Sequence, residues 1–195
     1  MKRFLLLIAP LVSSAFAQKV VQIPILNPQF NADALACSTP GSNCFAYGIT
    51  GWLAGPETGV SLESTMQFSS APPEGLYVAF VGYPPSTGSI SQMLGVPLQA
   101  NTTYSLTVKV GARADFPFTG YFAALGAGNT TLASGNSATP LGGKFVDDVI
   151  VYNSGANPPQ LGQSLQILIK SLGTGQVSIA NVSLTAAAQL TAAAQ

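Results

Sequence analysis

No histidine occurs in the 195-residue chain. Ser-His and Cys-His pairs and imidazole-ligated metal centres are therefore excluded from the start. The carboxylates number seven in all. Asp147 and Asp148 are adjacent; on a strand, neighbours point to opposite faces, so they are expected as strand-surface charges and not as a shared pair. Glu57, Glu63, Glu74 and Asp115 fall in loops or at strand ends. Two of them could flank a glycosidic bond, but that chemistry needs a fixed separation that spacing along the chain does not supply. The expectation is a protein that is not an enzyme, with no metal and no cofactor.

Binding chemistry concentrates in the loop over residues 111–121. Arg113 and Asp115 can hydrogen-bond sugar hydroxyls, while Phe116, Phe118 or Tyr121 offers a flat face for a pyranose ring, with Tyr83 as a second platform. The alternative is that Phe116 and Phe118 cover the end of the core and that Arg113 and Asp115 form a local ion pair. Trp52 follows a glycine and is expected in the core. Cys37 and Cys44 flank a Pro40-Gly41 turn, and in an oxidising compartment they are expected to form a structural disulfide. Closing so small a loop contributes on the order of 2.5 kcal/mol.

The elements that must position these groups are strands. Only 7% of residues are charged, against about 25% in an average domain, and the Lys plus Arg count of 7 equals Asp plus Glu. No basic patch for nucleic acid is available. Lys2 and Arg3, an apolar run over 4–12 and Ala15-Phe16-Ala17 form a secretory leader, so residues 1–17 are set aside and export is expected. No segment is long enough to span a membrane. Beyond Gln18 the pattern is period two with regular turn punctuation, which predicts an all-β sandwich. The clearest strand is 103–110, with Tyr104, Leu106, Val108 and Val110 on one face. Strands are also predicted over 76–83, 144–152 and 165–171, and more weakly over 19–26, 49–54, 60–68, 89–94, 120–125 and 131–133. In the last strand, 176–185, Val177 and Ile179 are odd-numbered but Val182 and Leu184 even; a β-bulge near Ala180-Asn181 would restore one face, the alternative being a strand buried on both faces. The Leu-Thr-Ala-Ala-Ala-Gln repeat over 184–195 is read as a frayed tail from 186. Asn101 and Asn129 head sequons in turns and are candidate glycosylation sites in a eukaryotic host; Asn181 sits in the closing strand.

Several motifs in order resemble a known family. Asn27-Pro-Gln-Phe30, Gly51-Trp52 and Ala180-Asn-Val-Ser-Leu184 are similar to the opening and closing strands of galactose-binding-like jelly rolls. Val78-Ala-Phe80, the 88–92 and 98–104 segments, 115–121 and 152–157 resemble one branch of that family, secreted bacterial proteins associated with extracellular polysaccharide. The resemblance implies a two-sheet antiparallel jelly roll over 27–185 with an extended N-terminal strand over 18–26. Its members often hold calcium between an acidic residue of the opening loop and an Asp of the closing strand. Here those positions are Asn31 and Ala180, leaving Asn31 and Asp33 as a weak remnant. The family's C-terminal sorting tag is not found after Thr185.

Together these features predict a secreted, non-catalytic structural or adhesive protein of the cell surface or matrix, whose partners are copies of itself or extracellular polysaccharide. Val20, Val21, Ile23, Ile25 and Leu26 would complete a neighbour's sheet and build fibres. The alternative is a stand-alone carbohydrate-binding module using the 111–121 loop.

Overall fold

The computed structural model describes residues 18–33, 44–70, 72, 75 and 77–189. Among them are the strands β1 (Val20–Ile23), β2 (Phe45–Tyr47), β3 (Leu53–Ala54), β4 (Thr58–Ser61), β5 (Val78–Val81), β6 (Ser89–Pro97), β7 (Thr102–Ala112), β8 (Tyr121–Ala127), β9 (Thr130–Gly135), β10 (Lys144–Asn153), β11 (Ser164–Ser171) and β12 (Val177–Ala188). They form two antiparallel sheets. A seven-stranded sheet runs β10-β7-β12-β5-β4-β2 with β1 added to β12, and a five-stranded sheet runs β3-β6-β11-β8-β9. The all-β sandwich expected from the alternating pattern is the fold.

The core lies between the sheets. Tyr104, Leu106, Val108 and Val110 of β7 are at most 1% exposed and meet Ile90, Leu125, Leu165, Ile167 and Ile169 from the other sheet. Each such aliphatic side chain contributes about 1.5–3 kcal/mol by leaving water. In β12 the register against β7 slips between Ile179 and Asn181. Ala180 is the extra residue, and Val177, Ile179, Val182 and Leu184 all reach the core. The parity change in the sequence is this bulge.

Three elements differ from the sequence expectation. Val20–Ile23 pairs within its own chain, Val20 opposite Ala187 and Ile23 opposite Leu184; Ile23 is buried in the core. The segment expected to exchange therefore serves as this domain's own first strand: Val20, Val21 and Ile23 lie in the pairing with β12, Ile25 packs against the core, and the Leu26 N–H donates to the Gln92 side chain. The first Leu-Thr-Ala-Ala-Ala-Gln copy is not a tail, because Ala186 and Ala187 are paired on both sides, by β1 and by β7. The predicted strand over 60–68 stops at Ser61. Gln67 and Phe68 both donate to the Ser64 carbonyl, turning the chain over the outer face of the larger sheet, where Phe68 stacks on Phe145 at 4.4 Å. Residues 1–17, Cys37, Glu74 and the second repeat copy lie outside the described residues.

Candidate active site

One row of residues crosses the outer face of the seven-stranded sheet: Tyr47, Gly59, Phe80, Ser178, Gly111 and Phe145 stand opposite one another in register. Alternation puts their neighbours Ala79, Val81, Ile179 and Val110 into the core and turns this row outward. The two glycines shape it. A Cβ at Gly111 would lie 2.4 Å from the Phe145 ring, so only glycine lets that ring settle; a Cβ at Gly59 would lie 1.9 Å from the Ala46 carbonyl oxygen. With no side chain at Gly59, the Tyr47 and Phe80 rings meet over it at 5.9 Å, and Phe45 completes an edge-to-face trio at 5.6 and 5.9 Å.

Leu62, Glu63 and Gln67 border this row and help to form a solvent-open cleft of about 320 Å³, in which Phe45, Tyr47 and Tyr83 stay partly exposed. Its lining combines the rings of Phe45, Tyr47, Phe80, Tyr83 and Phe116 with the polar groups of Arg113, Glu63, Gln67 and Gln176. The Glu63 side chain continues the outward-facing parity of Gly59 and Ser61. Ser61 Oγ donates to Glu63 Oε1 at 2.6 Å, and Glu63 is only 8% exposed. Burial pushes its carboxyl above the ordinary value, against the opposing pull of the Ser61 hydroxyl and the Arg113 charge. Arg113 grips Asp115 with two hydrogen bonds of 2.9 and 2.7 Å and lies 4.5 Å over the Phe116 ring. The arginine charge is thus paired at the cavity wall but still acts on Glu63. Tyr47 Oη donates to Glu57 Oε2 at 2.9 Å, and that bond, ahead of any burial, raises the phenol above its ordinary value.

Of the residues expected to bind a sugar, the fold brings Tyr83, Arg113 and Phe116 to the cavity, with Tyr83 and Phe116 in ring contact at 5.4 Å. Asp115 serves as the arginine's partner. Tyr121 is fully buried between the sheets and cannot present a face to a ligand; its hydroxyl donates to Asp148 and accepts from the Ala138 N–H. Phe118 packs against the core beside it. Asp147 and Asp148 do point to opposite faces, but only Asp147 is a surface charge, paired with Lys109 at 2.7 Å. Asp148 is buried, because β10 turns it inward toward Tyr121 and Ser137. Trp52 is in the core as expected. The expected metal remnant is otherwise engaged: Asp33 accepts from the Thr50 N–H, the Thr50 hydroxyl and the Asn27 amide. Cys44 is buried at the cavity wall and is not free; a pairing with Cys37 lies outside the described residues. Asn101 adopts a left-handed turn with φ 48°, and Asn129 is exposed in the β8–β9 turn.

No motif in the sequence marks Phe45 or Tyr47 as site residues, Phe80 enters only through a resemblance motif, and Glu63 stands only among dispersed acids. The signal was present as two aromatics on one face in Phe45-Ala46-Tyr47, too short a run for period two to declare a strand.

A cyclase from Fischerella sp. in its apo form is similar over 88% of this chain and 98% of its own, at 25% identity and a TM-score of 0.77. A cyclase from Fischerella sp. TAU in complex with 4-(1H-indol-3-yl)butan-2-one is similar over 88% of this chain and 100% of its own, at 26% identity and a TM-score of 0.75. The carbohydrate-binding module TmCBM61 in complex with beta-1,4-galactotriose shares the fold alone, at 16% identity, with 82% of this chain and 95% of its own covered and a TM-score of 0.51. No curated protein matches the sequence. The family described as HpiC1-like, HpiC1 cyclase, matches residues 21–185. This match and the cyclase neighbours overturn the expectation of a non-catalytic structural, adhesive or sugar-binding protein; the galactose-binding-like resemblance describes the sandwich, not the family. Over nearly all of its described length, the chain belongs to the HpiC1-like cyclase family.

Proposed function

We propose that this protein is an exported cyclase that closes a ring on a flat, unsaturated, indole-like substrate by protonating it from Glu63. The observation that carries the reading is a carboxyl group buried in the wall of an aromatic cavity, with burial holding it toward its neutral, proton-donating form. An acid of this kind adds its proton to an alkene carbon. The neighbouring carbon becomes a cation, a second π-bond supplies the electron pair for the new C–C bond, and a proton leaves. The product is an isomer of the substrate, so no oxidant or reductant is needed.

The cavity suits that sequence of charges. The faces and edges of Phe45, Tyr47, Phe80, Tyr83 and Phe116 surround the space where a cation would form, and a ring face in van der Waals reach stabilises a cation by about 0.5–2 kcal/mol. Asp115 offsets part of the Arg113 charge that would otherwise repel it. Glu63, once it has given up its proton, becomes the counter-anion. A volume of about 320 Å³ accommodates a bicyclic ring with a short side chain, and the indole ketone bound by the Fischerella sp. TAU cyclase is a ligand of that size. The leader-like residues 1–17 support export.

The test is turnover of 3-(4-methylpent-3-enyl)indole by the full chain. Protonation at the alkene CH gives a tertiary cation, and attack by indole C2 closes a six-membered ring. The expected result is a product of unchanged mass and, in D₂O, one deuterium on the carbon beside the new quaternary centre. Glu63→Gln should lower the rate by about 10²-fold or more. Equal turnover by wild type and Glu63→Gln would remove Glu63 as the acid.

A further inference from the structure

Glu63 supplies the proton that enters the substrate; ring closure also requires a group that takes a proton away. In the lining of the same cavity stands Tyr47, whose phenol is tied to the Glu57 carboxylate at 2.9 Å. Three features hold that pair in place. The ring is fixed edge-on by Phe45 and Phe80. Its strand is locked to β4 by Phe45 opposite Ser61 and Tyr47 opposite Gly59. Glu57 itself sits in the turn before β4 with φ 48°, a left-handed conformation that glutamate rarely adopts and that the surrounding structure must impose. The Gly48 N–H closes that turn on the Thr58 carbonyl at 3.0 Å.

We propose that Tyr47 and Glu57 are the proton-accepting arm of the cyclase: Tyr47 Oη takes the proton from the cyclised cation while its own phenolic proton passes to Glu57 Oε2. The proposal rests on the reading of Glu63 as the acid. In the step itself a substrate C–H bond breaks, its electron pair forms the ring C=C bond, the new O–H bond forms on Tyr47 and the old one is transferred to Glu57. Glu57 then releases its proton to water and Glu63 takes one up, which restores both carboxyls with no net change. Tyr47 is the catalytic residue, since it meets the substrate; Glu57 acts through it and is a positioning and proton-storing residue. The other ionisable groups facing this arm are Tyr83, whose charge when ionised would oppose that of Tyr47, and, in the same cavity lining, Glu63 and Arg113.

The arm makes a prediction that a structural role would not. With 3-(4-methylpent-3-enyl)indole the departing proton is the one on indole C2, so the 2-deuterated probe reads its removal. Wild type should show an isotope effect near unity, because a well-placed acceptor makes that step fast. Tyr47→Phe keeps the ring and removes the acceptor; Glu57→Gln keeps the shape and weakens the relay. Both should slow turnover, by about 10²-fold and about 10-fold, and both should develop a normal primary isotope effect and divert the cation to a tertiary alcohol. Binding of 4-(1H-indol-3-yl)butan-2-one, measured by calorimetry, should stay within about twofold in both variants (roughly 0.4 kcal/mol or less), which shows that the cavity survives. If both variants cyclise the probe at the wild-type rate with no isotope effect, or if Glu57→Gln is silent while Tyr47→Phe is slow, the arm is wrong and Glu63 stands. If wild type and Glu63→Gln behave alike, the acid reading fails first and the arm falls with it.

Discussion

Tyr47 and Phe80 belong to strands that are not neighbours, yet their rings meet at 5.9 Å because the residue between them, Gly59, has no side chain. The larger sheet thereby acquires a trough on its outer face. The 62–68 segment borders that trough and brings Glu63 into its wall.

Gly59→Ala tests the trough directly. Its Cβ would lie 1.9 Å from the Ala46 carbonyl oxygen, so β2 must move. The expected cost is about 1–3 kcal/mol, read as a lower urea midpoint, with binding of the indole ketone lost.

Glu63 should make stability depend on pH in the direction opposite to a salt-bridged acid. Its folded value lies above the ordinary 4.5, so between these two values the folded state holds more protons than the unfolded state. Stability is fully present below 4.5 and falls as pH rises through the elevated folded value. Glu63→Gln removes this dependence. Thermal midpoints of the two proteins should be close in acid and diverge toward neutral pH, with the glutamine variant the more stable.

Arg113 pulls the Glu63 carboxyl downward, whereas Asp115 pushes it up. Replacing Arg113 with Gln removes the first influence and frees the second. The alkaline limb of the cyclisation rate, set by ionisation of Glu63, should therefore move to higher pH; a shift the other way would show that Arg113 does not act on Glu63. The ion pair is half open to solvent on the Asp115 side, so the stability cost should be only about 1 kcal/mol.

Tyr121→Phe leaves the cavity untouched and should weaken the fold. It strips a hydrogen bond from the buried Asp148 carboxylate and from the Ala138 N–H. Leaving such groups unpaired costs about 1–3 kcal/mol or more. Equilibrium unfolding should show that loss, while turnover per folded molecule stays at the wild-type level.

How far the amino-acid order alone reaches differs between core and site. Alternation along β7 identified Tyr104, Leu106, Val108 and Val110 as one buried face, and the parity change in β12 located the bulge at Ala180. Both are local: a half-buried strand must alternate, and one extra residue must invert it. The same local logic placed Asp147 and Asp148 on opposite faces, yet it could not tell that the Asp148 side faces Tyr121 of the other sheet, because which face is inward is decided by the packing of two sheets. The cavity lies further still from the sequence. Tyr47, Glu63, Phe80, Arg113, Phe116 and Gln176 come from separate parts of the chain and converge only through strand register and the fold-back at Ser64. Glu63 looks like any surface acid until that fold-back takes it out of water. Burial, not residue type, raises its proton affinity, and burial is a property of the assembled sandwich.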